Sequence, residues 1–124
     1  MSLKRIRESE EMYLETILLL RIKQANVRAV DVGEELGYAK SSVSRGLSLL
    51  KKKGYIEIDA TNGAITFTQK GKEKAEGIYE KHKVITAVLI KMGAEQKQAE
   101  DNACRIEHVI SDDLLELFKR YISE

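Results

Sequence analysis

The chain has 124 residues, 33% of them charged and 43% hydrophobic, with a formal net charge of +1. That balance marks a globular rather than a disordered chain, and no apolar run approaches the ~20 residues of a membrane span. The start Met-Ser-Leu-Lys-Arg lacks a signal peptide's apolar core, and one cysteine forms no internal disulfide, which fits a cytoplasmic protein.

Residues 3–24 predict a helix whose broad apolar face is built from Ile6, Met12, Tyr13, Thr16, Ile17, Leu19 and Leu20. A second, short helix is predicted from Val27 to Leu36, with Val30 and Leu36 facing inward and Gly37 as its stop. Tyr38-Ala39-Lys40 forms the turn. A third helix is predicted from about Ser41 to Lys53, with Val43, Leu47 and Leu50 on its inner face and Gly54 at its end.

The hydrophobic period then changes from 3.6 to 2. Tyr55-Ile56-Glu57-Ile58-Asp59 and Ala64-Ile65-Thr66-Phe67-Thr68 alternate around Thr61-Asn62-Gly63, which predicts a two-stranded hairpin. Three helices followed by a hairpin is the layout of a winged helix-turn-helix. From Thr68, an N-cap, a long helix is predicted to about Met92, with Gly71 and Gly77 as weak points and Gly93 as its break. Another helix spans roughly Glu95 to Ile110. Ser111 caps a last short one carrying Leu114, Leu115, Leu117, Phe118 and Ile122.

Charge is unevenly distributed. Residues 1–72 carry 13 Lys/Arg against 9 Asp/Glu, whereas residues 94–124 carry 4 against 8, so only the first part suits a polyanion. Between Leu36 and Glu57 stand Lys40, Arg45, Lys51, Lys52 and Lys53 with no acid. Ser41, Ser42 and Ser44, with Arg45 beside them, occupy the front of the third helix. That is the part of a recognition helix that meets base edges and phosphates. These residues, with Lys40, are the predicted DNA contacts. Lys51–Lys53 equally suit a solvated helix end that favours the dipole.

The other chemical signal is Cys104-Arg105-Ile106-Glu107-His108. On a helix, positions i, i+3 and i+4 share a face, so a thiolate, a carboxylate and an imidazole converge there as a partial transition-metal shell. His82 stands 11 residues before Gly93 and Cys104 11 after, which brings them within reach in an antiparallel helix pair. In the first helix Met12 and Glu15 share a face. Read alone, Met12 is ordinary core and Glu15 a solvated acid.

Glu11-Met12-Tyr13-Leu14-Glu15-Thr16-Ile17, then Lys81-His82-Lys83, then Ala103-Cys104-Arg105-Ile106-Glu107-His108-Val109-Ile110-Ser111-Asp112 resemble the diphtheria toxin repressor family of metal-dependent transcriptional repressors. The likeness covers essentially the whole chain in order. It implies a regulatory metal site of Met12, Cys104, Glu107 and His108, as in the iron-responsive branch, and an ancillary site to which His82 contributes. Two positions depart from that branch: Thr86 replaces an acid one turn after His82, and Glu100 replaces a histidine before Cys104. Glu15, His82 and Glu100 then form a differently composed second site. Against the manganese branch, the chain keeps Glu15, His82, Glu107 and His108 but has Met12 and Cys104 where that branch has acids. The iron-type C-terminal SH3-like domain is expected to be absent.

The expected fold is therefore mainly α with a small β-hairpin: a winged helix-turn-helix DNA-binding domain over 1–72 and a helical metal-binding and dimerisation domain over 73–124. The expected function is a repressor, not an enzyme. A divalent metal, Fe(II) ahead of Mn(II), would act as co-repressor for a homodimer on a palindromic operator in double-stranded DNA, controlling metal-uptake genes. The rival readings are a metalloenzyme using Glu107 as base, a thiol-based redox regulator sensing through Cys104, and a winged-helix protein answering to an organic ligand.

Overall fold

The computed structural model describes residues 3–124, with side chains described from Ser9 onward. The elements are α1 (Leu3–Lys23), α2 (Ala29–Leu36), α3 (Lys40–Lys52), β1 (Ile56–Ile58), β2 (Ile65–Phe67), α4 (Gln69–Lys91), α5 (Gln96–Ile106) and α6 (Asp112–Ser123). This is the mainly helical fold with one hairpin that the hydrophobic periods predict. Ile6 lies outside the described side chains. The chain divides into two compact units, Met1–Glu76 and Gly77–Glu124, with the boundary inside α4.

In the first unit, Tyr13, Leu14, Ile17 and Leu20 of α1 are buried, as are Val27, Val32, Val43, Leu47, Leu50, Ile56 and Ile65. The apolar stripe of α3 at i, i+4 and i+7 is fully internal, which leaves its polar stripe to solvent. Val30, predicted to face inward, is instead 61% exposed, because Val32, on the opposite side of α2, takes the core position. Val30 instead borders an open hollow with Gly33, Tyr38 and Val43.

The hairpin is antiparallel, with Ile56 opposite Phe67, Glu57 opposite Thr66 and Ile58 opposite Ile65. Asp59 accepts from the backbone N–H of Thr61 and of Asn62 at 2.7 and 3.1 Å, which shapes the tip. Two long-range bonds hold β2: Ile65 N–H donates to Val27 O at 2.8 Å, and Arg21 Nη1 to Ile65 O at 2.7 Å. Thr68 caps α4 by accepting from Gly71 N–H at 3.1 Å. Gly71 is a contact, not a weakness. Any Cβ there would collide with the Tyr55 carbonyl oxygen and lie 2.7 Å from its carbon, so glycine is what lets α4 approach the backbone just before β1.

In the second unit, Ile78, Val84, Ile85 and Val88 of α4, Ala99 and Ala103 of α5, and Leu115 of α6 are buried. Small residues on α5 suit close approach of a neighbouring backbone. Ser111 caps α6 by accepting from Leu114 N–H at 3.2 Å. The helix α5 ends at Ile106, four residues earlier than expected, and turns carry the chain from Glu107 to Val109.

Candidate metal centre and nucleic-acid interface

The end of α5 matters because Glu107 is its C-cap. Glu107 keeps helical dihedrals (φ −58°, ψ −27°), and its N–H still donates to Ala103 O. Its side chain is 0% exposed, although a carboxylate there loses all its hydration. Two imidazoles flank it. His82 Nδ1 is 2.8 Å from Glu107 Oε2, and His108 Nε2 is 3.3 Å from Oε1, which accepts no hydrogen bond. With Glu107 ionised, the proton of this bond sits on His82 Nδ1 and leaves Nε2 as a lone-pair donor. That hydrogen bond pushes the His82 pKa above its usual value. Partial burial opposes the shift, and the charges of Glu107 and Glu100 reinforce it. Tyr79, one turn earlier, lies nearly parallel to the His82 ring (11°, centroids 6.4 Å apart).

A buried carboxylate oxygen without a hydrogen bond, beside two imidazoles, is the chemistry that a divalent cation satisfies. The residues fit one: Glu107 and His108 as ligands, with His82 as a ligand or as the group that orients Glu107. The remaining predicted donors are distributed differently. Cys104 is exposed on α5. Glu100 is also exposed, and its carboxylate accepts from Gln96 at 2.8 Å. In the first unit Glu15 is buried and Met12 half-buried, with Met12 Sδ accepting a hydrogen bond from Tyr38 Oη at 3.2 Å.

On α3 the predicted DNA contacts Lys40, Ser41, Ser44 and Arg45 are exposed, and Ser42 is half-buried. Tyr13 Oη donates to the Ser42 carbonyl at 3.3 Å, so the front of this helix is tied to α1. Burial is the main cause raising the Tyr13 pKa, followed by Tyr38, with Arg45 opposing, so the hydroxyl stays a donor. The exposed stripe also includes Ser48 and Leu49, which were not among the predicted contacts. With Lys52 they join Ser44 and Arg45 around a shallow hollow of about 380 Å³. Their i, i+4 and i+7 spacing from Ser41, Ser44 and Arg45 was the available signal. Lys53 differs from its neighbours in being ion-paired with the buried Glu10, whose other oxygen lies 3.8 Å from Lys74 Nζ.

Residues 5–64 match the iron-dependent repressor N-terminal DNA-binding domain, and residues 68–124 match the iron-dependent repressor metal-binding and dimerisation domain. The chain belongs to the iron-dependent repressor family. Its members, the diphtheria toxin repressor among them, are metal-dependent transcriptional repressors and not enzymes. Membership displaces the metalloenzyme reading. A transcriptional regulator of helix-turn-helix type from Methanocaldococcus jannaschii is 35% identical over 94% of this chain and 94% of its own length. The iron-dependent repressor IdeR of Mycobacterium leprae is 29% identical over 86% of the chain, which spans 46% of that protein. The solved manganese-dependent transcriptional repressor in complex with manganese shares the fold, with a TM-score of 0.84 and 23% identity over 92% of this chain and 52% of its own. The chain thus spans about half of those last two relatives. The DNA-binding match contains all of α3, and the metal-binding match contains His82, Cys104, Glu107 and His108 together with α6.

Proposed function

We propose that this repressor takes Fe(II) as its co-repressor and, as a cytoplasmic homodimer, closes a palindromic operator that controls metal-uptake genes. The observation that carries the metal-gated reading is Glu107, fully buried between His82 and His108 inside the metal-binding and dimerisation domain. The proposed regulatory ligands are Met12, Cys104, Glu107 and His108, with Glu15, His82 and Glu100 as donors to a second position. For Met12, Glu15 and Cys104 the proposal stands on the sequence resemblance, and for Glu100 on its standing where the family has a histidine. A bound divalent ion would supply positive charge that offsets the hydration lost by the buried Glu107 carboxylate.

The residues do the remainder. His82 holds Oε2 of Glu107, and Oε1 faces His108 Nε2 at 3.3 Å, so these two groups are the proposed ligand pair. On the DNA side, Arg45 and the serine hydroxyls address base edges, while Lys40 and Lys52 address phosphates. In a two-fold dimer the paired recognition helices must match the ~34 Å repeat of B-DNA. A coupling of about 1–3 kcal/mol between metal and DNA, or 5–150-fold in affinity, suffices for a switch.

Soft donors at Met12 and Cys104 favour Fe(II) or later first-row ions over Mn(II). One observation favours the manganese reading instead: the buried donors Glu15 and Glu107 are hard carboxylates, whereas Cys104 is exposed. Anaerobic selection of genomic DNA fragments by the purified protein, at one salt concentration, tests both. Parallel arms contain Fe(II), Mn(II), Zn(II) or a chelator. Enrichment of a palindrome with metal alone supports the repressor, and the most effective ion assigns the metal. Equal enrichment under chelator overturns the co-repressor mechanism.

A further inference from the structure

The turn before the recognition helix holds a residue that the DNA and metal signals leave out. Tyr38 is 43% exposed, yet its hydroxyl donates to Met12 Sδ at 3.2 Å. Its backbone is fixed: Gly37 ends α2 in the left-handed region (φ 71°), and Tyr38 N–H donates back to Gly33 O at 3.2 Å. Its ring meets the Tyr13 ring edge-on, 76° between planes and 6.1 Å between centroids. Tyr13 in turn lies along α3, bonded to the Ser42 carbonyl and pressed so closely on Gly46 that a Cβ there would sit 2.6 Å from its Cζ. The adjacent residues Met12 and Tyr13 are therefore joined to the two ends of one short path. Met12 reaches the turn two residues before Lys40, and Tyr13 reaches the front of α3.

We propose that Tyr38 is a positioning residue: its hydroxyl holds the Met12 thioether in the rotamer that ligates metal, and so links ligation to the start of the recognition helix. This rests on the reading of Met12 as a ligand. A methionine side chain is flexible and its sulfur a weak ligand, so an unrestrained Met12 would contribute little. The sulfur has two lone pairs, and a hydrogen bond to one leaves the other for the ion. The contact also lies within a single compact unit, so the sulfur is held before any metal arrives.

The test is a double-mutant cycle on the full metal-free chain, titrated anaerobically with Co(II) and followed by calorimetry and visible absorption. Tyr38→Phe removes only the hydroxyl and keeps the ring against Tyr13. We expect it to weaken Co(II) binding about three- to tenfold, the range of one neutral hydrogen bond. In a Met12→Leu background the same change should have no effect. The ¹³C-methyl resonance of Met12 in the metal-free protein should also move on Tyr38→Phe, which a distant structural effect would not cause. Three outcomes overturn the proposal. They are unchanged Co(II) affinity in Tyr38→Phe, an equal loss in both backgrounds, or an effect confined to the DNA affinity of the metal-loaded protein, which would make Tyr38 a phosphate contact. If Met12→Leu itself leaves Co(II) affinity unchanged, the ligand reading of Met12 falls first and takes the proposal with it.

Discussion

Three glycines in helices of this repressor meet quite different surroundings, and the differences order their expected substitutions. A Cβ at Gly77 meets nothing within 4 Å, so Gly77→Ala should stabilise the protein by about 0.5–1 kcal/mol through helix propensity. At Gly46 the same gain is opposed by the Tyr13 ring, which is 7% exposed and anchored to Ser42. Overpacking costs about 1–3 kcal/mol, so a net loss of roughly 1 kcal/mol is expected. Gly71 faces the Tyr55 backbone, which cannot rotate away, so Gly71→Ala should be the most damaging of the three. Thermal unfolding of the three variants checks the order. A Gly71→Ala protein as stable as the wild type would show that the wing and α4 do not need that close approach. None of this is legible in the sequence, where Gly71 and Gly77 look alike as interruptions of one helical pattern.

At the scale of elements, the hairpin carries a titratable clamp. Asp59 has its pKa lowered, first by the hydrogen bond from Asn62 N–H and then by that from Thr61 N–H. A depressed folded-state pKa means that its contribution is complete above the unfolded-state value and lost as pH falls through the folded one. An NMR pH titration should therefore place the Asp59 midpoint below that of an unfolded reference peptide. The Thr61 and Asn62 amide resonances should move with it. A midpoint equal to the peptide's would mean that the clamp is absent in solution.

The recognition helix offers a comparison between two cations. Arg45 is exposed on the polar stripe of α3 that we propose meets DNA, so Arg45→Ala should lower operator affinity by about 1–3 kcal/mol. Lys53 is engaged with buried Glu10. Lys53→Ala should leave the salt dependence of DNA binding unchanged and lower the thermal midpoint instead, because Glu10 loses a partner. A reduced salt slope for Lys53→Ala would show that it contacts phosphate after all.

These elements also show what a sequence can and cannot specify. The hairpin and the three preceding helices were readable because each carries its own period and stop, from Gly37 through Asn62-Gly63. Val30 was misplaced because two valines two positions apart on a short helix compete for one core face, and only tertiary packing decides between Val30 and Val32. A helical wheel puts Cys104, Glu107 and His108 on one face, yet α5 ends at Ile106, so Cys104 stands exposed within the helix while Glu107 is buried just past its end.

For the whole molecule, the buried carboxylate divides stability from regulation. An ionised Glu107 without metal is costly to bury, and the hydrogen bond from His82 offsets that cost only in part. Glu107→Gln exchanges the charge for a neutral amide of nearly the same shape that still accepts from His82. The metal-free variant should therefore melt at or above the wild-type temperature. Metal should stabilise only the wild type. At a free-ion concentration of about 100 Kd the linkage is ~2.7 kcal/mol, which for a chain of this size is on the order of 10 °C. Differential scanning calorimetry with and without Fe(II) or Mn(II), under anaerobic conditions, reads both quantities at once. A Glu107→Gln protein that melts well below the wild type without metal, yet keeps the full metal-induced rise, would assign Glu107 to structure. The expected opposite pattern would mean that the metal-free fold carries a built-in cost at Glu107, relieved by the ion that the repressor senses.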